Sequence, residues 1–135
     1  MSAGIALPPI EAVLDAYERE MAVTGGAAGL RDEGGLRSAL ARADNRIAYA
    51  ADTPSVHELA ATIAFGIARN HPFVDGNKRM AFICAYVTLR INGWYLDAPE
   101  REATGTVLAL AEGVLDEAGF REWLERWSYR LEDAP

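Results

Sequence analysis

The longest apolar runs of this chain lie between residues 55 and 92 and predict two helices joined by a polar loop. In the first run the apolar residues recur at the spacing of one helix face; they are Val56, Leu59, Ala60, Ile63, Ala64, Ile67 and Ala68. Ser55 and Glu58 form the S-x-x-E pattern of a capping box, which marks the start of this helix. The second run, residues 77–92, has almost no polar interruption and predicts a central, buried helix.

Shorter apolar stripes predict four further helices around this pair. The first follows Pro8-Pro9 and stops at Gly25-Gly26. Asp32 and Asp116 are the predicted N-caps of two others. The stripes consist of Ile10, Val13, Leu14, Tyr17 and Met21, then Leu36, Ala39, Leu40 and Ala43, then Ala103, Val107, Leu110 and Ala111, and finally Phe120, Trp123, Leu124, Trp127 and Leu131.

The pattern as a whole predicts an all-α bundle of about six helices without a convincing sheet. Residues 94–96 are expected to be a short extended link. Residues 45–54 have no helical stripe, and two interpretations of them stay open. They form a surface loop, or Arg46, Ile47, Ala48 and Tyr49 form a short extended flap whose backbone groups pair with a segment of a protein substrate.

Composition narrows the class of protein. A chain of 135 residues can bury a sizeable core as one domain, with a core at about 10–127 and loose ends. The formal net charge of -7 and the pI of about 4.8 argue against direct binding to nucleic acid or to an anionic membrane. We find neither a signal peptide nor an apolar run long enough to span a bilayer.

A single cysteine is consistent with a reducing cytoplasm. Cys84 is the only cysteine, so that an internal disulfide and a cysteine metal site are excluded. It lies in the most apolar helix and is predicted to be a small core residue. We therefore expect a soluble cytoplasmic protein.

The loop at residues 71–79, with the sequence HPFVDGNKR, carries the candidate chemistry. Lys78 and Arg79 fall in the first turn of the second apolar helix, where the helix dipole disfavours cations unless an anion is bound. Gly76 allows close approach to the backbone, Asn77 can donate hydrogen bonds, and the first N–H groups of the helix are free. These features predict a phosphate site at this helix N-terminus.

Asp75 and His71 extend this site towards catalysis. Asp75 would supply one carboxylate beside the phosphates, as Mg²⁺ sites commonly require, and His71 can accept a proton near neutral pH. Each of these features has a more common explanation when it occurs alone. A histidine before proline is usually a loop residue, Asp-Gly is usually a turn, and Lys-Arg is usually a solvated charge pair. Their occurrence within nine residues favours a functional site, and Lys78 is the only lysine among 13 basic residues.

These residues resemble the signature of the Fic superfamily, H-x-F-x-[D/E]-[G/A]-N-[G/K]-R, and the lysine variant resembles its death-on-curing (Doc) branch. The upstream pattern from Gly29 to Leu40 is similar to the same branch. The resemblance runs from about Ile10 to Trp127. It implies an all-α Fic core that uses ATP and Mg²⁺ to modify a hydroxyl group of a target protein.

The resemblance also implies a role for each motif residue. His71 would deprotonate the target hydroxyl, Asp75 would bind the metal, and Gly76, Asn77, Lys78 and Arg79 would hold the phosphates. Phe73 would pack inward, and the flap at Arg46, Ile47, Ala48 and Tyr49 would align the target.

Two departures from the AMP-transferring Fic pattern bear on the reaction. Lys78 stands where those enzymes have glycine, and Phe82 stands where they have a second arginine. In the Doc branch these changes accompany a reversed nucleotide and transfer of the γ-phosphate to a Ser/Thr hydroxyl of a target of the elongation factor Tu type. AMP transfer and a catalytically inactive binding module remain the alternatives.

The chain lacks the [S/T]-x-x-x-E-[G/N] helix by which some Fic proteins inhibit themselves. The resemblance therefore implies a toxin that is restrained by a separate antitoxin protein.

Overall fold

The computed structural model describes residues 4–135 and contains six α-helices and one small sheet in that range. The helices are α1 (Ile10–Thr24), α2 (Glu33–Tyr49), α3 (Val56–Asn70), α4 (Asn77–Arg90), α5 (Glu100–Ala111) and α6 (Glu117–Arg126). Strands β1 (Trp94–Leu96) and β2 (Ser128–Arg130) pair antiparallel, and a 3₁₀ turn follows at Leu131–Asp133. The predicted all-α bundle of about six helices is confirmed.

The predicted helix starts are confirmed where a side chain caps the backbone. The Ser55 hydroxyl accepts from the Glu58 N–H at 3.0 Å, and the Asp32 carboxylate accepts from the Gly35 N–H at 2.9 Å. Asp116 caps α6 in the same way. Such caps depend on a few neighbouring residues, which is why the sequence reveals them.

The central helix is α3 rather than the predicted α4. α3 packs against α2, α4, α5 and α6, and its buried residues include Gly66 as well as the apolar stripe. Gly66 lies directly against Ala39 of α2, so small side chains allow the two helices to approach closely. α4 keeps a half-exposed face with Phe82, Ile83 and Tyr86, and Cys84 is buried as predicted.

The predicted last helix is too long. α6 ends at Arg126, and the chain then pairs with β1 in the register Trp94 to Arg130. The Arg130 guanidinium lies 5.0 Å from the centre of the Trp94 ring. These tertiary contacts override the helical periodicity that reaches Leu131 in the sequence.

The predicted extended conformation of Arg46, Ile47, Ala48 and Tyr49 is also wrong, because these residues form the last turn of α2. Two observations explain the helix. Arg46 forms ion pairs with Glu58 and Glu117 at 2.8 and 3.0 Å. Ile47 continues the helical spacing of the preceding stripe by one more turn.

The chain before α1 is held against the end of α4, although it was predicted to be loose. The Asn92 side chain exchanges two hydrogen bonds with the backbone of Ala6, both 2.8 Å long. Ile5 and Leu7 pack against the core. Residues 1–3, which belong to the same predicted loose end, lie outside the described residues. Every helix between residues 4 and 135 is too short or too polar to span a bilayer.

Candidate active site

The loop between α3 and α4 begins at His71, which ends α3 as a left-handed cap. Its φ is 49° and its N–H donates to the Ile67 carbonyl at 3.2 Å. The residue before a proline is usually extended, and His71, which precedes Pro72, departs from that rule. The left-handed form is costly for a residue with a side chain, so it persists only where other contacts hold it.

The contacts that hold His71 come from residues 26–32, which we call the clamp segment. The Arg31 guanidinium donates to the His71 carbonyl. The N–H groups of Arg31 and Asp32 both donate to the Pro72 carbonyl, at 2.8 and 2.9 Å. The Val74 N–H donates to the Gly29 carbonyl at 2.8 Å, so that backbone bonds join the clamp segment to the loop on both sides of Phe73.

The clamp segment therefore occupies the position beside the loop that was predicted for Arg46 to Tyr49. The predicted flap lies near the opposite end of α3, where Arg46 pairs with Glu58 in the first turn. α3 has 15 residues, so its ends are about 22 Å apart at 1.5 Å per residue.

Phe73 and Asn77 fix the inside of the loop. Phe73 is 1% exposed, which confirms its predicted inward packing, and its ring stacks on Tyr17 at 3.9 Å between centroids. The Asn77 side chain accepts from the Phe73 N–H and donates to the Phe73 carbonyl, both at 2.9 Å. The side-chain amide of Asn77 thus closes the loop on Phe73.

The N-terminus of α4 fits an anion. Its N-cap is Gly76, with φ 85° and no side-chain cap, and its first turn contains no acidic residue. The first N–H groups of a helix have no partner within the helix. Lys78 is exposed, and Arg79 pairs with Glu20 of α1 at 3.2 Å while its side chain stays 60% exposed.

Asp75 presents an exposed carboxylate beside this helix end. Its Oδ1 accepts from the Gly76 N–H at 2.8 Å, and its carbonyl accepts from the Tyr17 hydroxyl at 2.9 Å. Residues 4–135 contain no cluster of three side chains that could hold a metal ion. One carboxylate beside a phosphate site nevertheless fits Mg²⁺, which takes most of its ligands from phosphate oxygens and water.

The structure thus brings His71, Asp75, Gly76, Asn77, Lys78 and Arg79 together around one loop. Sequence reasoning missed the contribution of α1, which supplies Tyr17 and Glu20. Tyr17 falls in the apolar stripe of α1 and carries no polar signal of its own. Arg31 was part of the upstream pattern, but nothing in that pattern indicated its bond to His71.

A cavity of about 450 Å³ lies away from this loop, between α5 and α6, and Thr106 and Trp123 are among its lining residues. None of residues 71–79 lines it. The candidate site is instead an open surface at the tip of α4, a shape that leaves room for a large substrate.

Comparisons with known proteins find a family match that includes the loop. The model of the Fic/DOC family matches residues 8–89. The protein named Toxin Doc of Mycolicibacterium smegmatis is 43% identical over 75 residues, which make up 55% of this chain and 57% of that protein. Protein kinase doc of Escherichia phage P1 is 34% identical over 91 residues, or 67% of this chain and 71% of that protein.

Proposed function

The chain belongs to the Fic/DOC family, and on that premise we propose that it is a Doc-type toxin that phosphorylates a hydroxyl group of a target protein. The proposed donor is ATP with Mg²⁺, and the proposed target is of the elongation factor Tu type, which sets the reaction in the cytoplasm. The names Toxin Doc and Protein kinase doc of the two relatives support this reading. The chain spans 57% of the length of the first of them.

The observation that carries the proposal is the uncapped N-terminus of α4. Gly76 leaves the first N–H groups open, and Lys78 and Arg79 add positive charge there without an acidic residue in the same turn. Such a helix end binds phosphate groups. Bound Mg²⁺ would neutralise part of the phosphate charge, with Asp75 as its ligand from the protein.

His71 is the proposed base. Its side chain is exposed at the start of the loop, and the bond from Arg31 to its carbonyl fixes the backbone from which the ring projects. His71 would take the proton of the target hydroxyl, whose oxygen forms a bond to the γ-phosphorus. The bond from that phosphorus to the bridging oxygen breaks, and ADP leaves.

The clamp segment takes over the substrate-aligning role that the sequence assigned to Arg46, Ile47, Ala48 and Tyr49. It runs beside the loop, and Leu30 is exposed next to Phe73. An extended segment in this position can present backbone groups to a target chain. A separate antitoxin that covers this surface is the proposed restraint.

Labelled ATP tests the reaction. Purified elongation factor Tu and a bacterial extract are each incubated with the protein, Mg²⁺ and ATP labelled at either the α- or the γ-phosphate. We expect the γ-label on a target protein. Transfer of the α-label would instead establish AMP transfer, the alternative, and mass spectrometry of the modified protein identifies the added group.

Two substitutions test the assigned residues. His71→Ala is expected to lower the transfer rate about 10²- to 10⁴-fold, the usual contribution of a general base. Asp75→Ala is expected to lower the transfer rate and to raise the magnesium concentration that half-saturates it, because the variant lacks the proposed protein ligand of the metal. Parent-like growth inhibition by both variants would favour a binding module without catalysis.

A further inference from the structure

Among residues 4–135, Tyr17 is the one side chain outside both segments that bonds to the loop and to the clamp segment. Its hydroxyl donates to the Asp75 carbonyl at 2.9 Å and accepts from the Gly29 N–H at 3.2 Å. Its ring stacks on Phe73 with an angle of 14° between the planes. A residue of α1 thus connects the loop, which is 58 residues away at Asp75, with the clamp segment that follows α1 in the chain.

Tyr17 is buried and closely surrounded. The side chain is 4% exposed, and Gly76 lies so close that a Cβ there would come within 3.5 Å of the Tyr17 ring and 3.0 Å of the Met21 sulfur. The hydroxyl is therefore held between its two partners. Because the hydroxyl acts as donor to one partner and as acceptor from the other, a shift of either partner changes the bond to the other.

We propose that Tyr17 is a positioning residue that sets the Asp75 carboxylate for magnesium and links it to the clamp segment. The inference rests on the proposed function, since it assigns Asp75 to the metal. It adds a residue outside the motif and a physical coupling: occupancy of the loop by Mg²⁺ and ATP should order the clamp segment, and binding of a target there should strengthen magnesium binding in return.

The proximity of the clamp segment to Asp75 supports this coupling. A Cβ on Gly26 would lie 2.7 Å from Asp75 Oδ2 and 2.6 Å from the end of the Met21 side chain. The carboxylate therefore sits against the backbone of the clamp segment. Two contacts therefore restrict Asp75: the backbone of Gly26 lies beside its carboxylate, and the Tyr17 hydroxyl bonds to its backbone carbonyl.

Tyr17→Phe isolates the hydroxyl, because phenylalanine keeps the ring that stacks on Phe73. It leaves the Asp75 carbonyl and the Gly29 N–H without this partner. We expect the magnesium concentration that half-saturates binding of a fluorescent ATP analogue to rise about tenfold, as the loss of one partner from a buried hydrogen bond suggests. Saturating magnesium should restore most of the transfer rate.

Tyr95→Phe is the matched control. Tyr95 lies on β1, where the centre of its ring is 6.2 Å from that of Tyr86 and 5.5 Å from that of Tyr129. This variant should have the magnesium dependence of the parent. A merely structural role of Tyr17 would lower the folded fraction and leave the magnesium half-saturation point unchanged, which would overturn the proposal.

A second measurement does not depend on how well the variant folds. Hydrogen exchange of the Gly29 amide in the parent protein should slow severalfold when Mg²⁺ and ATP are added, and an unchanged rate would overturn the coupling. A parent that shows no magnesium-dependent ATP binding would refute the proposed function itself. Parent-like magnesium binding by Tyr17→Phe would refute only the role of Tyr17.

Discussion

The ion pair between Glu20 and Arg79 places a carboxylate where the proposed mechanism needs a phosphate. The two groups are 3.2 Å apart, and the Glu20 side chain is 21% exposed. A phosphate that reaches Arg79 must therefore compete with Glu20. Since partly exposed ion pairs contribute little free energy, this competition should weaken nucleotide binding without preventing it.

Glu20→Gln is expected to tighten ATP binding up to about fivefold. This factor corresponds to the free energy of a surface ion pair, which ATP no longer has to break. Titration of the fluorescent ATP analogue measures the effect. Glu18→Gln, at an exposed position of the same helix, should leave the affinity unchanged. Weaker binding by Glu20→Gln would show that Glu20 supports the site.

His57 is a buried histidine far from the loop, and its burial leads to a prediction about stability. Its Nε2 lies 2.8 Å from the Ser128 hydroxyl, and its ring meets Trp94 edge-on at 4.4 Å. Burial lowers the pKa of His57 below its usual value, and the nearby Glu125 offsets this only in part.

The lowered pKa predicts a loss of stability in acid. The unfolded chain takes up the proton at His57 near its usual pKa of about 6.5, whereas the folded chain resists it. The free energy of unfolding should therefore fall as the pH drops below about 6.5, with a slope that cannot exceed about 1.4 kcal/mol per pH unit for one proton.

Denaturant unfolding at several pH values tests this expectation. His57→Gln should flatten the slope below about pH 6.5. His71→Gln, at an exposed position, should retain it. An identical slope for the parent and His57→Gln would contradict the assignment.

At the scale of elements, the contact of α2 with α3 determines how the loop is presented, because α3 ends at His71. Gly66 allows this contact. A Cβ on Gly66 would lie 2.6 Å from the Ala39 Cβ and 2.9 Å from its Cα. Backbone atoms cannot yield as a flexible side chain can, so the helices would have to separate.

Gly66→Ala is therefore expected to lower the free energy of unfolding by about 1–3 kcal/mol, the usual cost of overpacking. Gly105→Ala provides the opposite case, since Gly105 lies inside α5 and nothing stands within 4 Å of its added Cβ. Alanine there should stabilise by about 0.5–1 kcal/mol. Denaturant unfolding of both variants gives the comparison, and equal signs would contradict the packing argument.

The sequence predicts some features of these elements and misses others. The caps at Asp32 and Ser55 and the phosphate features at Gly76 depend on neighbouring residues, so the pattern reveals them. The helical form of Arg46 depends on Glu117, far along the chain. The left-handed His71 is likewise held by a contact from another segment, the bond from Arg31, whereas the local rule for a residue before proline gives an extended conformation.

For the whole molecule, the architecture concentrates positive charge at one helix end of an acidic protein. The net charge of -7 would repel a nucleotide at long range, whereas Lys78, Arg79 and the first N–H groups of α4 would attract it locally. Screening over about 10 Å at 0.1 M salt keeps the local attraction dominant at contact. α1, the clamp segment and α3 all meet at this end, where the proposed reaction takes place.

A crystal structure of the protein with Mg²⁺ and a non-hydrolysable ATP analogue tests this account most directly. We predict that the phosphates lie against the backbone N–H groups of Asn77, Lys78 and Arg79, with the metal bound to Asp75 and the His71 ring facing the terminal phosphate. A nucleotide bound elsewhere, or phosphates at α4 with Asp75 and His71 turned away from them, would contradict it.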